Sequence, residues 1–336
     1  MQVVSATTAI PESLKGAVIA IGNFDGLHRG HQELLKVAKT EAARRGSRWG
    51  ILTFEPHPGS FFRPAEPVFR LTPAALKERL AAALGADLFA VANFDEHLSS
   101  RSPEEFVLGY LVKWLGVSHV VTGYDFHFGK GRKGTPETLR QLGEQNGFGV
   151  TTVDQVTDDA DGNAPFSSSS IRSAIRRGHV RAAAHDLGYR WIVKGEVVHG
   201  DKRGRTIGFP TANIIVDPGA EPARGIYAVE VRDADVAPGT PAWLGAAYFG
   251  DRPTFNTNRT FLETYLLDVD MDLYGRKLLV SFHDLIRGDK TFSSVGDLVE
   301  QMKNDCDDAR RILAHDRAND EIAAFPLGKL QREGRL

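Results

Sequence analysis

The feature that most constrains this chain is a change of rhythm near its middle. Up to about residue 153, short apolar runs alternate with helix-patterned segments; from about Trp191, the runs follow one another with little room for helices. Ala17–Ile21, Trp49–Phe54, Asp87–Ala92, Ser118–Thr122 and Gly149–Val153 are the strand candidates of the first part. Leu34, Leu35, Ala38 and Ala42 have helical spacing over His31–Arg45, which Gly46 closes. Thr72-Pro73, Ser102-Pro103 and Thr135-Pro136 each supply an N-cap followed by proline at the first helical position. Five strands alternating with four helices predict a parallel α/β sheet with helices on both faces. Ligands of such sheets bind at the carboxyl ends of strands, so the loops after Ile21, Phe54 and Thr122 are the places to look for chemistry.

The second part has runs rich in Val, Ile, Tyr and Phe at 191–198, 225–232, 242–249, 261–267 and 277–283, separated by Gly and Pro. That pattern predicts a small antiparallel β-barrel or sandwich. An amphipathic helix over roughly Ser294–Leu313 is expected to cover one opening of it. Helical segments at Ile171–Arg177 and Val180–Leu187 join the halves, which places the boundary near Gly188 and gives domains 1-188 and 189-336. A length of 336 residues suits two domains.

Composition removes several function classes. A formal net charge of −2 argues against a protein whose main work is gripping nucleic acid. No run of about 18 apolar residues is present, so no membrane span is expected. Nor does a basic segment followed by an apolar run open the chain. Cys306, the 1 cysteine, allows neither an internal disulfide nor an all-cysteine metal site. A cytoplasmic protein is the expectation.

The most informative segment is Gly22-Asn23-Phe24-Asp25-Gly26-Leu27-His28-Arg29-Gly30-His31, between the first strand and the first helix. Backbone N–H groups at a helix start favour phosphate, and the glycines let a ligand come close. His28 and His31 can present two imidazoles to one phosphate and stabilise charge building there. Neither the P-loop pattern nor the dinucleotide fingerprint is present. Two further segments stand out: Thr53–Pro58 (TFEPHP) and Thr122–Gly134 (TGYDFHFGKGRKG). The stretch Phe128–Gly134, with Lys130, Arg132 and Lys133, reads either as a flexible basic hairpin or as a mobile loop over polyphosphate.

HxGH at this position resembles the nucleotidyltransferase superfamily. With the two further segments, the match is to the bacterial bifunctional riboflavin kinase/FMN adenylyltransferase family. The resemblance implies a Rossmann-like nucleotidyltransferase domain in which His28 and His31 contact ATP phosphates and Asp125 helps hold the nucleotide. Gly22, Phe24, Asp25, Gly30 and His57 would complete the adenylyl site. The superfamily's serine-rich turn is Ser167-Ser168-Ser169-Ser170-Ile171-Arg172 here, with Ser168, Ser169 and Arg172 as phosphate contacts. Many relatives carry a basic residue two places before the first serine of that turn, where this chain has Pro165.

In the second part, Val197–Asn213 combines glycines, basic residues and the sequence GFPTAN. Thr211 and Asn213, two apart on an extended chain, point the same way and can offer two oxygens to one hard cation. GFPTAN resembles the riboflavin kinase signature, in which these two residues contact Mg²⁺ and ATP phosphate. Gly200, Lys202, Gly204, Thr206 and Gly208 would then bind phosphate, and Phe209, Arg252, Pro253 and Thr254 the flavin. Glu263, a lone carboxylate in the apolar run Phe261–Leu267, would be the base for the ribityl 5′-hydroxyl. The resemblance covers about Ala17 to Leu313, and implies riboflavin, FMN and ATP as ligands, FAD as product and Mg²⁺ with the nucleotide.

Overall fold

A computed structural model of the chain describes residues 1–158, 164–200, 203–217, 219–250 and 261–336. Two compact units divide it: residues 1–68 with 74–167, and residues 69–73 with 168–336. The helices Ser168–Arg176 and Val180–Leu187, expected as a link, therefore belong to the second unit.

The first unit holds strands β1 (Gln2–Ser5), β2 (Val18–Ile21), β3 (Trp49–Glu55), β4 (Leu88–Asn93), β5 (His119–Gly123) and β6 (Gly149–Val153). They form one sheet in the order β1-β4-β3-β2-β5-β6, and every pairing is parallel. A ribbon of β7 (Thr157–Asp158) and β8 (Ala164–Pro165) follows. Helices α1 (Arg29–Arg45), α2 (Pro58–Phe62), α3 (Ala74–Ala83), α4 (Glu96–Ser99), α5 (Pro103–Phe106) and α6 (Pro136–Asn146) accompany the sheet. The chain leaves α5 in a wider helical turn over Val107–Trp114, where one continuous helix was expected.

The expected strands are all present, with the edge strand β1 in addition. Only Val4 of β1 is buried, so it offers no apolar run to read. By contrast, β2 is buried along its whole length, because a central parallel strand is covered on both faces. Strand order reverses at β2, with β3 on one side and β5 on the other. The loops leaving β2 and β5 therefore diverge and open a crevice at their carboxyl ends.

The second unit contains α7 (Ser168–Arg176), α8 (Val180–Leu187), β9 (Ile192–Val198), α9 (Arg203–Thr206), β10 (Thr211–Ile215), β11 (Gly225–Asp233), β12 (Trp243–Gly250), β13 (Phe261–Leu266) and β14 (Lys277–Arg287). After them come α10 (Val295–Ala318) and α11 (Pro326–Arg332). The strands close into a barrel in the order β10-β13-β12-β11-β14-β9, all antiparallel. The sixth strand, β10, is the TANII segment, too short to stand out in the rhythm of the other five.

Helix α10 does not cover a barrel opening. Its Cys306, Ala309 and Leu313 pack with Ala228 of β11 and Ala246 of β12. Those alanines alternate with Tyr227, Val229 and Ala247, which fill the interior, so the helix lies on the outer face of the wall. The sequence gives the apolar stripe of such a helix but not its partner.

A buried polar cluster fastens that helix near its end. His283 Nδ1 donates to Asp316 Oδ2 (2.9 Å), and Arg181 of α8 donates to Asp316 Oδ1 (2.9 Å). Burial by itself would raise the Asp316 carboxyl; the hydrogen bonds from His283 and Arg181 outweigh it and hold the group at about 2. A carboxyl lowered by folding stabilises above its unfolded value near 4 and loses that contribution as pH falls toward 2. Asp316 is thus expected to contribute about 2 kcal/mol at neutral pH. Acid unfolding followed by circular dichroism should be shallower between pH 4 and 2 in Asp316→Asn, with lower stability at pH 7. An unchanged acid slope would show that Asp316 does not carry it.

Candidate functional site

The first site lies at the carboxyl ends of β2, β3 and β5. After β2, Phe24 and Leu27 take left-handed backbone conformations (φ 48° and 41°) although neither is glycine, and both are fully buried. Such strain persists only where the surroundings impose it, and it concentrates at ligand-binding loops. The loop delivers His28 to the N-cap of α1, where its Nδ1 accepts the His31 backbone N–H at 3.3 Å. With Nδ1 accepting, a neutral His28 ring carries its proton on Nε2. The His31 ring stacks on it at 3.6 Å between centroids, and Phe24 meets His31 edge-on at 5.3 Å. A side chain on Gly30 would press on the His28 ring, so glycine there is what lets the imidazoles adopt this stack.

Burial, then His28, then Lys77 push the His31 imidazole well below its ordinary value. It is neutral at physiological pH, and its Nδ1 is buried without a hydrogen-bond partner. His31 thus presents a neutral imidazole beside a helix start, which itself favours anions.

The other expected residues are placed as follows. Asp125 follows β5, and its carboxylate stands close over Gly123 at the strand end. His57 caps α2, its Nδ1 accepting the Gly59 N–H at 3.0 Å. The basic stretch is closed by pairing of Phe128 with Gly134 and tied down by the Lys130 N–H donating to the Arg101 carbonyl (2.7 Å). It is thus an anchored hairpin with Lys130, Arg132 and Lys133 exposed. Ser168, Ser169 and Arg172 open α7 in the second unit, and Arg172 Nε donates to the Phe69 carbonyl at 2.6 Å.

Sequence reasoning missed two features of the first unit. Phe62 is 65% exposed, unusual for a phenylalanine. It stands edge-on to Phe61 (5.2 Å) and Phe94 (5.7 Å), and Phe94 to Phe54 (6.1 Å), a shelf of rings beyond β3 and β4. The pair Phe61-Phe62 directly after TFEPHP was the available signal. The other feature is Lys77, buried on α3.

The second site lies on the outer wall of the barrel. Antiparallel register sets Asn213 of β10 opposite Glu263 of β13, and Thr211 opposite Tyr265. On its other side Glu263 faces Tyr248 of β12. Burial raises the Tyr248 phenol, as do the carboxylates of Asp289 and Glu263 beside it, so it remains a proton donor. Phe209 lies edge-on to Tyr265 at 5.1 Å and is buried. Its backbone N–H returns to the Gly204 carbonyl (2.8 Å), closing the turn that carries Thr206 and Gly208. A side chain on Gly200 would overlap the Asn213 amide, so the loop backbone runs directly against that group. Lys202, Arg252, Pro253 and Thr254 lie outside the described residues.

The donors collected here are a hydroxyl, an amide and a carboxylate. Among the described residues no group of three or more His, Cys, Asp or Glu could hold a metal ion. The oxygen donors on the barrel wall instead fit a hard cation that arrives with phosphate.

Comparison with known proteins decides the family. Residues 10–169 match the family described as FAD synthetase, and residues 187–313 the family described as riboflavin kinase. Among curated relatives, the bifunctional riboflavin kinase/FMN adenylyltransferase of Escherichia coli K12 is 38% identical over 291 residues. That match covers 87% of this chain and 91% of the relative. The chain belongs to the bifunctional riboflavin kinase/FMN adenylyltransferase family. Family members from Listeria monocytogenes (39% over 300 residues, 88% of this chain and 92% of that one) and Bacillus subtilis (36% over 312, 91% and 95%) agree. A solved structure called a macrolide-efflux protein, from Streptococcus pneumoniae, matches with TM-score 0.79 and 30% identity. It covers 92% of this chain and 98% of that one. Among the described residues no helix is long and apolar enough to cross a membrane.

Proposed function

We propose that this chain phosphorylates riboflavin to FMN and then adenylylates FMN to FAD, with ATP at both steps, in the cytoplasm. Adenylylation is assigned to residues 1-188 and phosphorylation to residues 189-336. The observation that carries this reading is that each unit presents the side chains of one step together: His28 with His31 in one, and Thr211, Asn213 and Glu263 in the other.

In the kinase step, Glu263 accepts the proton of the ribityl 5′-hydroxyl as that oxygen bonds to the γ-phosphorus and ADP departs. Thr211 and Asn213 would hold the Mg²⁺ that accompanies ATP, and the cation would neutralise phosphate charge there. In the adenylyl step, an FMN phosphate oxygen attacks the α-phosphorus of ATP and pyrophosphate leaves. His28 and His31 stabilise the charge on that leaving group, and no nucleophilic side chain is required. Asp125 holds the nucleotide. Incubation with riboflavin, ATP and Mg²⁺, followed by chromatography of the flavins, should show FMN rising first and FAD after it. Riboflavin recovered unchanged would refute the reading.

The ring shelf of Phe54, Phe61, Phe62 and Phe94 suits the flat, apolar isoalloxazine of FMN in the first unit. Phe62→Ala is expected to raise KM for FMN in FAD synthesis by about 3- to 10-fold, the worth of one aromatic contact. FMN synthesis from riboflavin should not change. An unaltered KM for FMN would place the flavin elsewhere.

A further inference from the structure

Lys77 is the only buried lysine among the described residues, at 3% exposure. A lysine is almost never so buried unless paired, and the groups that pair it lead to the nucleotide loop. Its ammonium donates to Glu55 Oε1 (3.1 Å) and to Thr53 Oγ1 (3.2 Å), both at the carboxyl end of β3. The Thr53 hydroxyl in turn donates to the backbone carbonyl of Asn23 (3.1 Å). Asn23 opens the strained turn that carries Phe24, Leu27 and His28. An ammonium on α3 is thus connected, through one hydroxyl, to the backbone from which both imidazoles are hung.

We propose that Lys77 is a positioning residue for adenylyl transfer, holding the His28/His31 loop in place through Thr53 and the Asn23 carbonyl. The proposal rests on the adenylyl function assigned above. Lys77 does not touch the reacting atoms. It fixes the Thr53 hydroxyl so that its proton points at the Asn23 carbonyl, and its positive charge acts on His31. That charge, with burial and His28, favours the neutral imidazole. Glu55 balances the charge locally, which lets an ammonium remain so deep in the unit.

The test uses the full chain with Lys77→Met, Thr53→Val and Thr53→Ser, each checked for folding by circular dichroism. Losing the link should lower kcat for FAD synthesis from FMN by about 10- to 100-fold, the cost of misplacing catalytic groups by a fraction of an ångström to an ångström. FMN synthesis from riboflavin by the same preparations should be unchanged. Thr53→Ser keeps the hydroxyl and should retain most activity. The double variant Lys77→Met/Thr53→Val should be no worse than either single one, because both break the same chain. In Lys77→Met the His31 imidazole, followed by NMR, should titrate at higher pH than in the parent protein. Should Lys77→Met not fold, Thr53→Val against Thr53→Ser carries the test alone. Near-parental FAD synthesis by a folded Lys77→Met or Thr53→Val would overturn the positioning role while leaving the adenylyl function intact. A parent chain that makes no FAD would instead refute the function on which the role rests.

Discussion

Replacing His28 and His31 together by alanine should reduce FAD formation from FMN by at least about 10³-fold, since one preorganised donor at a developing charge is commonly worth 10²- to 10³-fold. FMN formation from riboflavin by the same protein should be nearly intact. The two rings stack on each other at 3.6 Å and sit in the first unit, whereas Glu263 and the Thr-x-Asn pair sit in the second. His31 is neutral, so its contribution needs no protonation. Activity through this site should therefore not fall as pH rises from 6 to 8 on account of His31. Equal loss of both activities in a folded variant would contradict the assignment, as would FAD formation at a parental rate.

Glu263→Gln should give the opposite pattern. Glutamine keeps the size and much of the hydrogen bonding of glutamate but cannot take a proton. FMN formation is expected to fall by about 10²- to 10⁴-fold, the usual worth of a general base. Riboflavin affinity should stay within about tenfold, because the lost interaction matters mainly in the transition state. FAD formation from supplied FMN should hardly change. Near-parental FMN formation would remove Glu263 as the base and direct attention to Asp251, which lies outside the described residues, and to Asp268 and Asp270, which follow β13.

What the sequence made legible was local. The HxGH loop and GFPTAN could be read because their residue types are tied to short-range geometry: an N-cap at His28, a close backbone approach at Gly30, alternation on a strand at Thr211 and Asn213. Opposition of Asn213 and Glu263 depends on barrel register, which links residues about fifty positions apart and leaves no local trace. Lys77 was hidden for a related reason. In Ala-Leu-Lys-Glu-Arg-Leu it looks like one more charge on a solvated helix face, and only packing against β3 shows it to be buried. Helix α10 advertises an apolar stripe that would serve equally for a barrel opening or a barrel wall. Tyr248 gave no signal, because its relevance comes from the neighbours Glu263 and Asp289.

The proposed function requires two independent sites in one chain to act in sequence, with FMN as product of one and substrate of the other. The most direct measurement mixes the two disabled proteins, His28→Ala/His31→Ala and Glu263→Gln, and supplies riboflavin, ATP and Mg²⁺. Each alone should make little or no FAD from riboflavin, the first stopping at FMN and the second leaving riboflavin unconverted. Together they should form FAD, as FMN released by the first protein is adenylylated by the second. A mixture that accumulates FMN but no FAD, although the Glu263→Gln protein converts supplied FMN at comparable concentration, would contradict the account.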